Sequence, residues 1–126
     1  MAVQAQRVAQ GQTSYLAGSA AEDAVARHYR DQGYAILESR WRGEGGEIDL
    51  IVQNDAFVVF VEVKQSKRFA QAATRISARQ MQRIHNAAGE YLGQLPMGLL
   101  TDARFDAALV DGQGAIQIIE NAFAEG

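Results

Sequence analysis

Three charged residues occur where the surrounding sequence is apolar. Asp49 lies inside the run Ile48–Val52, and Glu62 and Lys64 lie at the end of a second run that begins at Phe57. An unpaired carboxylate or ammonium group is costly to bury, so such positions are not those of ordinary core residues. Side chains alternate along a strand, so Glu62 and Lys64 should point the same way, with Cα atoms about 6–7 Å apart. If strand pairing brings Asp49 beside them, these groups predict a functional site at one end of a sheet.

The elements that must position this site can be predicted from apolar spacing and turn residues. Asn54 and Asp55 separate the two runs and predict a β-hairpin, which we expect to be buried on both faces because the runs are nearly continuous. The other predicted elements are a helix over Ser14–Gln32 that ends at Gly33, a strand over Tyr34–Trp41, an irregular segment that extends to Ile76, a helix from the capping box Ser77/Gln80 to Leu92, and strands over Phe105–Val110 and Ala115–Glu120. The order α-β-β-β-α-β-β predicts an α/β fold with a mixed central sheet flanked by helices.

Length and composition limit the classes of protein. A chain of 126 residues is one domain that can bury a core without cross-links, and we expect residues 1–13 to be flexible and residues 14–126 to form that domain. There is no cysteine, which excludes disulfides, a thiol nucleophile and a Cys-based zinc site. No stretch is long and apolar enough for a membrane span or a secretory signal, so a soluble cytoplasmic protein is expected.

Charge is unevenly distributed along the chain. The net charge is −3, yet every charged side chain between Glu62 and Glu90 is basic. This distribution favours a surface that contacts the phosphate backbone of a nucleic acid, although an ordinary solvated helix face is the alternative. The predicted nucleic-acid contacts are Lys67, Arg68, Arg75, Arg79 and Arg83.

Asp49, twelve intervening residues and then Glu62-Val63-Lys64 resemble the active-site signature of the restriction-endonuclease-like nucleases, the PD-(D/E)XK superfamily. Ile48 stands where that signature often has proline, which makes the motif less specific. The segments G-E-I-D-L-I, V-F-V-E-V-K, R-F-D and I-I-E-N-A-F further resemble the YraN family of small bacterial proteins. This resemblance implies an endonuclease-like core similar to that of archaeal Holliday-junction resolvases, and by analogy a homodimer.

The resemblance also implies a set of site residues for phosphodiester cleavage. Mg²⁺ or Mn²⁺ prefers oxygen ligands, and Asp49, Glu62 and the Val63 carbonyl would supply them. Lys64 would orient the attacking water or stabilise the phosphate in the transition state. The helper residues are Glu22, the superfamily's extra carboxylate on the first helix, and Gln65, a hydrogen-bond donor to phosphate or backbone.

Each of these residues has a simpler alternative role. Glu62 and Lys64 could be an ion pair at a strand end, and Glu22 fits a capping box that begins at Ser19. Trp41 could stack on a base, but the edge of the core is the stronger interpretation, and Asp106 could simply pair with a nearby arginine.

The sequence therefore predicts a metal-dependent nuclease that acts on DNA. The alternative is a non-catalytic nucleic-acid-binding or scaffold module that retains the nuclease fold.

Overall fold

The computed structural model describes residues 20–122, and the predicted boundary between residues 13 and 14 lies outside this range. The described part of the first helix, α1, covers residues 20–31. The following elements are the strands β1 (Ala35–Arg42), β2 (Glu47–Gln53) and β3 (Val58–Gln65), the helices α2 (Phe69–Ala73) and α3 (Ala78–Gly93), a 3₁₀ turn (Gly98–Leu100), and the strands β4 (Ala103–Val110) and β5 (Ile116–Ile119).

The strands form one five-stranded sheet in the order β1-β2-β3-β4-β5. Neighbouring strands are antiparallel except for β3 and β4, which are parallel. A parallel pair needs a crossover connection, and the segment that contains α2 and α3 supplies it. The predicted α/β class with a mixed sheet flanked by helices is therefore confirmed.

Helices cover both faces of the sheet. On one face, Val25 and Tyr29 of α1 pack in a buried cluster with Leu50 and Val61 of the hairpin. On the other face, α3 packs against the sheet through a cluster that includes Ile51 and Phe60. Burial on both sides explains why β2 and β3 are nearly continuous apolar runs, as the sequence predicted.

The predicted helix ends and turns are present. Gly33 has the left-handed φ of 94° that ends α1, and the Ser77 side chain accepts a hydrogen bond from the Gln80 N–H at 3.1 Å to cap α3. Asn54 Oδ1 accepts the N–H groups of Ala56 and Phe57, both at 2.8 Å, in the hairpin turn.

One prediction of local structure was wrong. The segment before Ile76 was expected to be irregular, but Phe69–Ala73 forms the short helix α2. Three of its five residues are alanine, and Ala72 is completely buried, so tertiary packing stabilises a helix that the polar composition of the wider segment obscured.

A buried ionic cluster joins α1 to β4. Asp106 is 0% exposed, and its carboxylate accepts two hydrogen bonds of 2.8 Å from Arg104 and one of 2.8 Å from the Tyr29 hydroxyl. The interpretation of Asp106 as the partner of an arginine is thus confirmed. The expected place of Trp41 at the edge of the core is also confirmed, because its ring meets Tyr91 edge to face at 5.3 Å.

No helix within residues 20–122 is long and apolar enough to cross a membrane.

Candidate functional site

Asp49 lies where the pairing of β2 with β3 has ended, while the pairing of β2 with β1 continues on both sides of it. The ladder with β3 runs from Leu50↔Val61 to Gln53↔Val58 and does not include Asp49. On the other side, Arg40 has a left-handed φ of 52° and lies between the ladder pairs Ser39↔Leu50 and Trp41↔Ile48. Asp49 Oδ2 accepts the Val63 N–H at 2.8 Å.

Glu62 is held by one residue of its own strand and one residue of α3. It is 5% exposed, and its Oε1 accepts a hydrogen bond of 2.7 Å from Gln80 Nε2. The same oxygen lies 3.2 Å from Lys64 Nζ. Glu62 and Lys64 therefore do point the same way, as alternation along β3 predicted.

Asp49 and Glu62 are close enough for each to shift the pKa of the other. Burial and, after it, the negative charge of Asp49 raise the pKa of Glu62 to about 8, against the opposing effect of the Lys64 charge. Burial also raises the pKa of Asp49, while the Val63 N–H and a hydrogen bond with Glu62 oppose this rise. Two desolvated carboxylates in contact favour a proton or a cation between them.

Replacing Glu62 with glutamine should flatten the pH dependence of stability when divalent ions are chelated. Folded Glu62 keeps its proton up to about pH 8, while the unfolded chain releases it near its ordinary pKa of 4.5. The contribution of Glu62 protonation to the free energy of unfolding is therefore fully present below pH 4.5 and is lost as the pH rises to about 8. Glu62→Gln remains neutral and should avoid this loss, which is of order 5 kcal/mol for a rise in pKa from 4.5 to about 8. Urea unfolding across this pH range measures the effect, and parallel profiles for the two proteins would contradict it.

Glu22 on α1 lies beside this pair but has a partner of its own. Its Oε2 is 2.6 Å from Arg40 Nε. Burial raises the pKa of Glu22, the hydrogen bond from Arg40 opposes the rise, and the charges of Asp49 and Glu47 add to it. The structure thus brings Glu22 into the electrostatic field of Asp49, while Ser19 of the alternative capping box lies outside the described residues.

A cavity of about 200 Å³ opens over the carboxylate pair. Asp49 and Glu62 line it together with Gln80 and Arg83 of α3. A larger cavity of about 530 Å³, lined by Phe57, Asp102 and Arg104, opens where β3 and β4 begin, at the opposite end of β3 from Glu62. The smaller cavity is the better candidate because it contains the titratable pair.

The five basic residues predicted to contact phosphate lie in different environments after the end of β3. Arg75 follows α2, and its Nη1 donates to the Gln65 carbonyl at 3.1 Å. Arg83 lines the cavity itself. The other three, Lys67, Arg68 and Arg79, are exposed on the connection and on the first turn of α3.

Sequence reasoning assigned Gln80 only to a helix cap and did not predict its contact with Glu62. The capping box placed Gln80 in the first turn of α3, but only the crossover shows that this turn lies over β3. Within residues 20–122, no group of three or more histidine, aspartate or glutamate side chains is arranged to hold a metal ion. A cation here would depend on the two carboxylates and on backbone oxygen.

The fold and the site define an α/β protein with two neighbouring carboxylates, the half-buried Asp49 and the buried Glu62, at one end of a mixed sheet. Residues 21–110 match the profile of uncharacterised protein family UPF0102, and the chain belongs to this family. The predicted membership of the YraN family is confirmed, because this is another name for UPF0102.

Similar proteins extend over almost the whole chain. A UPF0102 protein of Ruegeria pomeroyi is 55% identical over 116 residues, which cover 92% of this chain and 94% of the relative. A UPF0102 protein of Roseobacter denitrificans is 53% identical over 120 residues, covering 95% and 93% of the two chains. A UPF0102 protein of Cereibacter sphaeroides is 56% identical over 114 residues, covering 90% and 97%.

Proposed function

We propose that this protein is a metal-dependent nuclease with a restriction-endonuclease-like core that cleaves phosphodiester bonds in DNA. The observation that carries the proposal is the contact between Asp49 and Glu62 in a cavity flanked by Lys64. A structural ion pair between Glu62 and Lys64 does not explain why a second carboxylate, that of Asp49, lies beside Glu62 and shares a single lysine with it.

The donor set fits a hard divalent cation such as Mg²⁺ or Mn²⁺. One oxygen of each carboxylate already accepts from fixed donors. Asp49 Oδ2 accepts from the Val63 N–H, and Glu62 Oε1 accepts from Gln80 and Lys64. The raised pKa values of Asp49 and Glu62 mean that the pair attracts positive charge. A cation held by these two carboxylates and the Val63 carbonyl would take the place of a proton on the pair. When bound, Mg²⁺ supplies charge neutralisation at the phosphate and an activated water.

The neighbouring residues act on the substrate. The Lys64 ammonium, held over Glu62, stabilises the charge that develops on the phosphate or orients the attacking water. Gln65 is the next residue along β3 and donates a hydrogen bond to the substrate backbone. Glu22, held by Arg40, supports the site as an additional carboxylate.

The basic residues after β3 place DNA over this cavity. α3 and its preceding connection cover one side of the site, so a backbone in contact with Arg79 and Arg83 passes the carboxylate pair. The described residues contain no dedicated base-reading motif, so recognition is of DNA shape and backbone.

Asp49→Asn should abolish binding of divalent ions with little loss of fold. Asparagine keeps the shape of the side chain and an acceptor for the Val63 N–H, but removes the charge that attracts a cation. Mn²⁺ at a hundredfold excess over its Kd should stabilise the folded parent by about 2.7 kcal/mol, which is measured as a rise in melting temperature. The melting temperature of the variant should not change. If Asn at this position binds Mn²⁺ as tightly as the parent, the assignment of the site is wrong.

Neutralising four basic residues should weaken DNA binding and its salt dependence. Each phosphate bound by a basic side chain releases counterions, so the slope of log K against log salt should fall by roughly 0.7–0.9 for each phosphate that the variant no longer binds. The test variant carries glutamine at Lys67, Arg68, Arg79 and Arg83. A matched control carries glutamine at Arg27 and Arg30, which are exposed on α1 and lie across the sheet from α3. Unchanged affinity in the folded test variant would exclude this surface.

The second candidate function is a non-catalytic module that binds nucleic acid. The ion pairs of Glu62 with Lys64 and of Glu22 with Arg40 favour it, because they already give these two carboxylates positive partners from the chain itself. Cleavage of branched, single-stranded and duplex substrates with Mg²⁺ and Mn²⁺ distinguishes the two functions. Sedimentation of the protein with and without DNA tests the homodimer that the resolvase resemblance suggests.

A further inference from the structure

The loop between β1 and β2 is attached to α3 by a carboxylate. The loop, residues 43–46, is closed by a hydrogen bond of 2.9 Å from the Gly43 N–H to the Gly46 carbonyl. Glu90 of α3 accepts two further backbone N–H groups, that of Glu44 at 3.1 Å and that of Gly45 at 3.2 Å. A carboxylate that accepts backbone N–H groups makes strong, charge-assisted hydrogen bonds.

The loop fits closely on the helix surface. A Cβ atom at Gly43 would overlap Glu90 Oε2 and would lie 2.7 Å from Trp41 Cη2. Gly46 has a φ of 151°, and a Cβ there would lie 3.4 Å from the Arg83 carbonyl oxygen. The loop therefore contacts α3 near both Arg83 and Glu90, and the glycines permit this approach.

The position of Glu90 on the helix is electrostatically unfavourable. It lies in the last turn of α3, where the helix dipole favours cations rather than carboxylates. The two hydrogen bonds to the loop offset this cost, which indicates that the helix end uses Glu90 to hold the loop.

The loop leads directly to the candidate site. β2 begins at Glu47, and Asp49 follows two residues later at the point where pairing with β3 has ended. The same helix holds Glu62 through Gln80. α3 thus holds Glu62 directly and holds the loop from which the strand of Asp49 begins.

We propose that Glu90 is a positioning residue that fixes the 43–46 loop on α3 and thereby places Asp49 against Glu62 and Val63. The effect of Glu90 on cation binding rests on the proposed function, whereas its effect on the position of Asp49 does not. Pairing with β3 stops at Leu50, and the β1–β2 ladder that flanks Asp49 begins directly after this loop, at Arg42↔Glu47. The loop therefore sets where this end of β2 lies relative to Val63 of β3.

The Val63 amide reports the position of Asp49 without any metal. Its N–H donates to Asp49 Oδ2, so amide hydrogen exchange at Val63 should accelerate when Asp49 moves away. In Glu90→Ala we expect exchange at Val63 to be about tenfold faster, while Ile51 and Phe60 in the sheet centre keep the parent rate. Glu90→Gln keeps one carbonyl acceptor and should give an intermediate rate. Glu44→Gln removes a charge from the same loop and is the matched control, with no expected change.

A parent-like Val63 rate in folded Glu90→Ala would overturn the proposal. Equal acceleration at Val63, Ile51 and Phe60 would also overturn it, because that pattern shows only a general loss of stability. Titration with Mn²⁺ separates positioning from function, and Glu90→Ala should bind Mn²⁺ about tenfold more weakly than the parent. If exchange at Val63 is faster in Glu90→Ala but the parent binds no Mn²⁺, the positioning role is supported and the proposed function is contradicted. Parent-like Mn²⁺ affinity together with a parent-like Val63 rate contradicts the positioning role alone.

Discussion

Replacing Asp106 with alanine is expected to lower the free energy of unfolding by about 3–5 kcal/mol, because it leaves the partly buried Arg104 without its counter-charge and the buried Tyr29 hydroxyl without its acceptor. Asp106 is completely buried and accepts from Arg104, from the Tyr29 hydroxyl and from the Asn121 N–H at 3.1 Å. These contacts join α1, β4 and the segment after β5. Removal of the carboxylate therefore affects three parts of the fold at once.

Tyr29→Phe provides the graded comparison for this prediction. It removes only the hydroxyl that donates to Asp106, and we expect a loss of about 1 kcal/mol, as is typical for one hydrogen bond. Urea unfolding measured by circular dichroism gives both values. A loss in Asp106→Ala no larger than that in Tyr29→Phe would mean that Arg104 finds solvent or another partner when Asp106 is removed.

The geometry of the candidate site could be predicted from the sequence where it depends on strand periodicity. Alternation along β3 placed Glu62 and Lys64 on one side, and the structure shows their ion pair at 3.2 Å. The apolar runs and the turn at Asn54 predicted that Asp49 would lie on the adjacent strand. These features depend on neighbours in the chain and on one hairpin, which local sequence determines.

The parts that the sequence did not predict depend on contacts between distant elements. Gln80 contacts Glu62 because the crossover places the first turn of α3 over β3, and no local pattern contains this information. The contact of Arg40 with Glu22 likewise depends on a left-handed residue inside a strand, which propensity disfavours. The structure of α2 depends on the burial of Ala72, which a polar flanking sequence does not indicate.

Function depends on a separate kind of information. Family membership is shown for residues 21–110, but the family is uncharacterised, so the reaction must be inferred from the site. The proposed phosphodiester site rests on the carboxylate pair, the adjacent ammonium and the basic connection. A substitution that changes the rate without changing binding is the most direct test.

Lys64→Ala should reduce DNA cleavage about 10²–10³-fold while the affinity for DNA remains nearly intact. The proposed role of the ammonium is felt mainly in the transition state, so its loss should lower kcat more than it raises KM. Single-turnover cleavage with saturating Mg²⁺ and DNA measures this step, and DNA affinity with Ca²⁺ in place of Mg²⁺ measures binding.

Lys64→Arg is the control that separates the two effects of the lysine charge. The Lys64 charge lowers the pKa of Glu62, so alanine should leave Glu62 more readily protonated and weaken cation binding near neutral pH. Arginine keeps the positive charge beside Glu62, but its larger planar group does not reproduce a compact ammonium. We therefore expect Lys64→Arg to bind Mn²⁺ like the parent and still to cleave slowly. Parent-level cleavage in Lys64→Ala at saturating metal would rule out a catalytic role for Lys64 and favour the non-catalytic module.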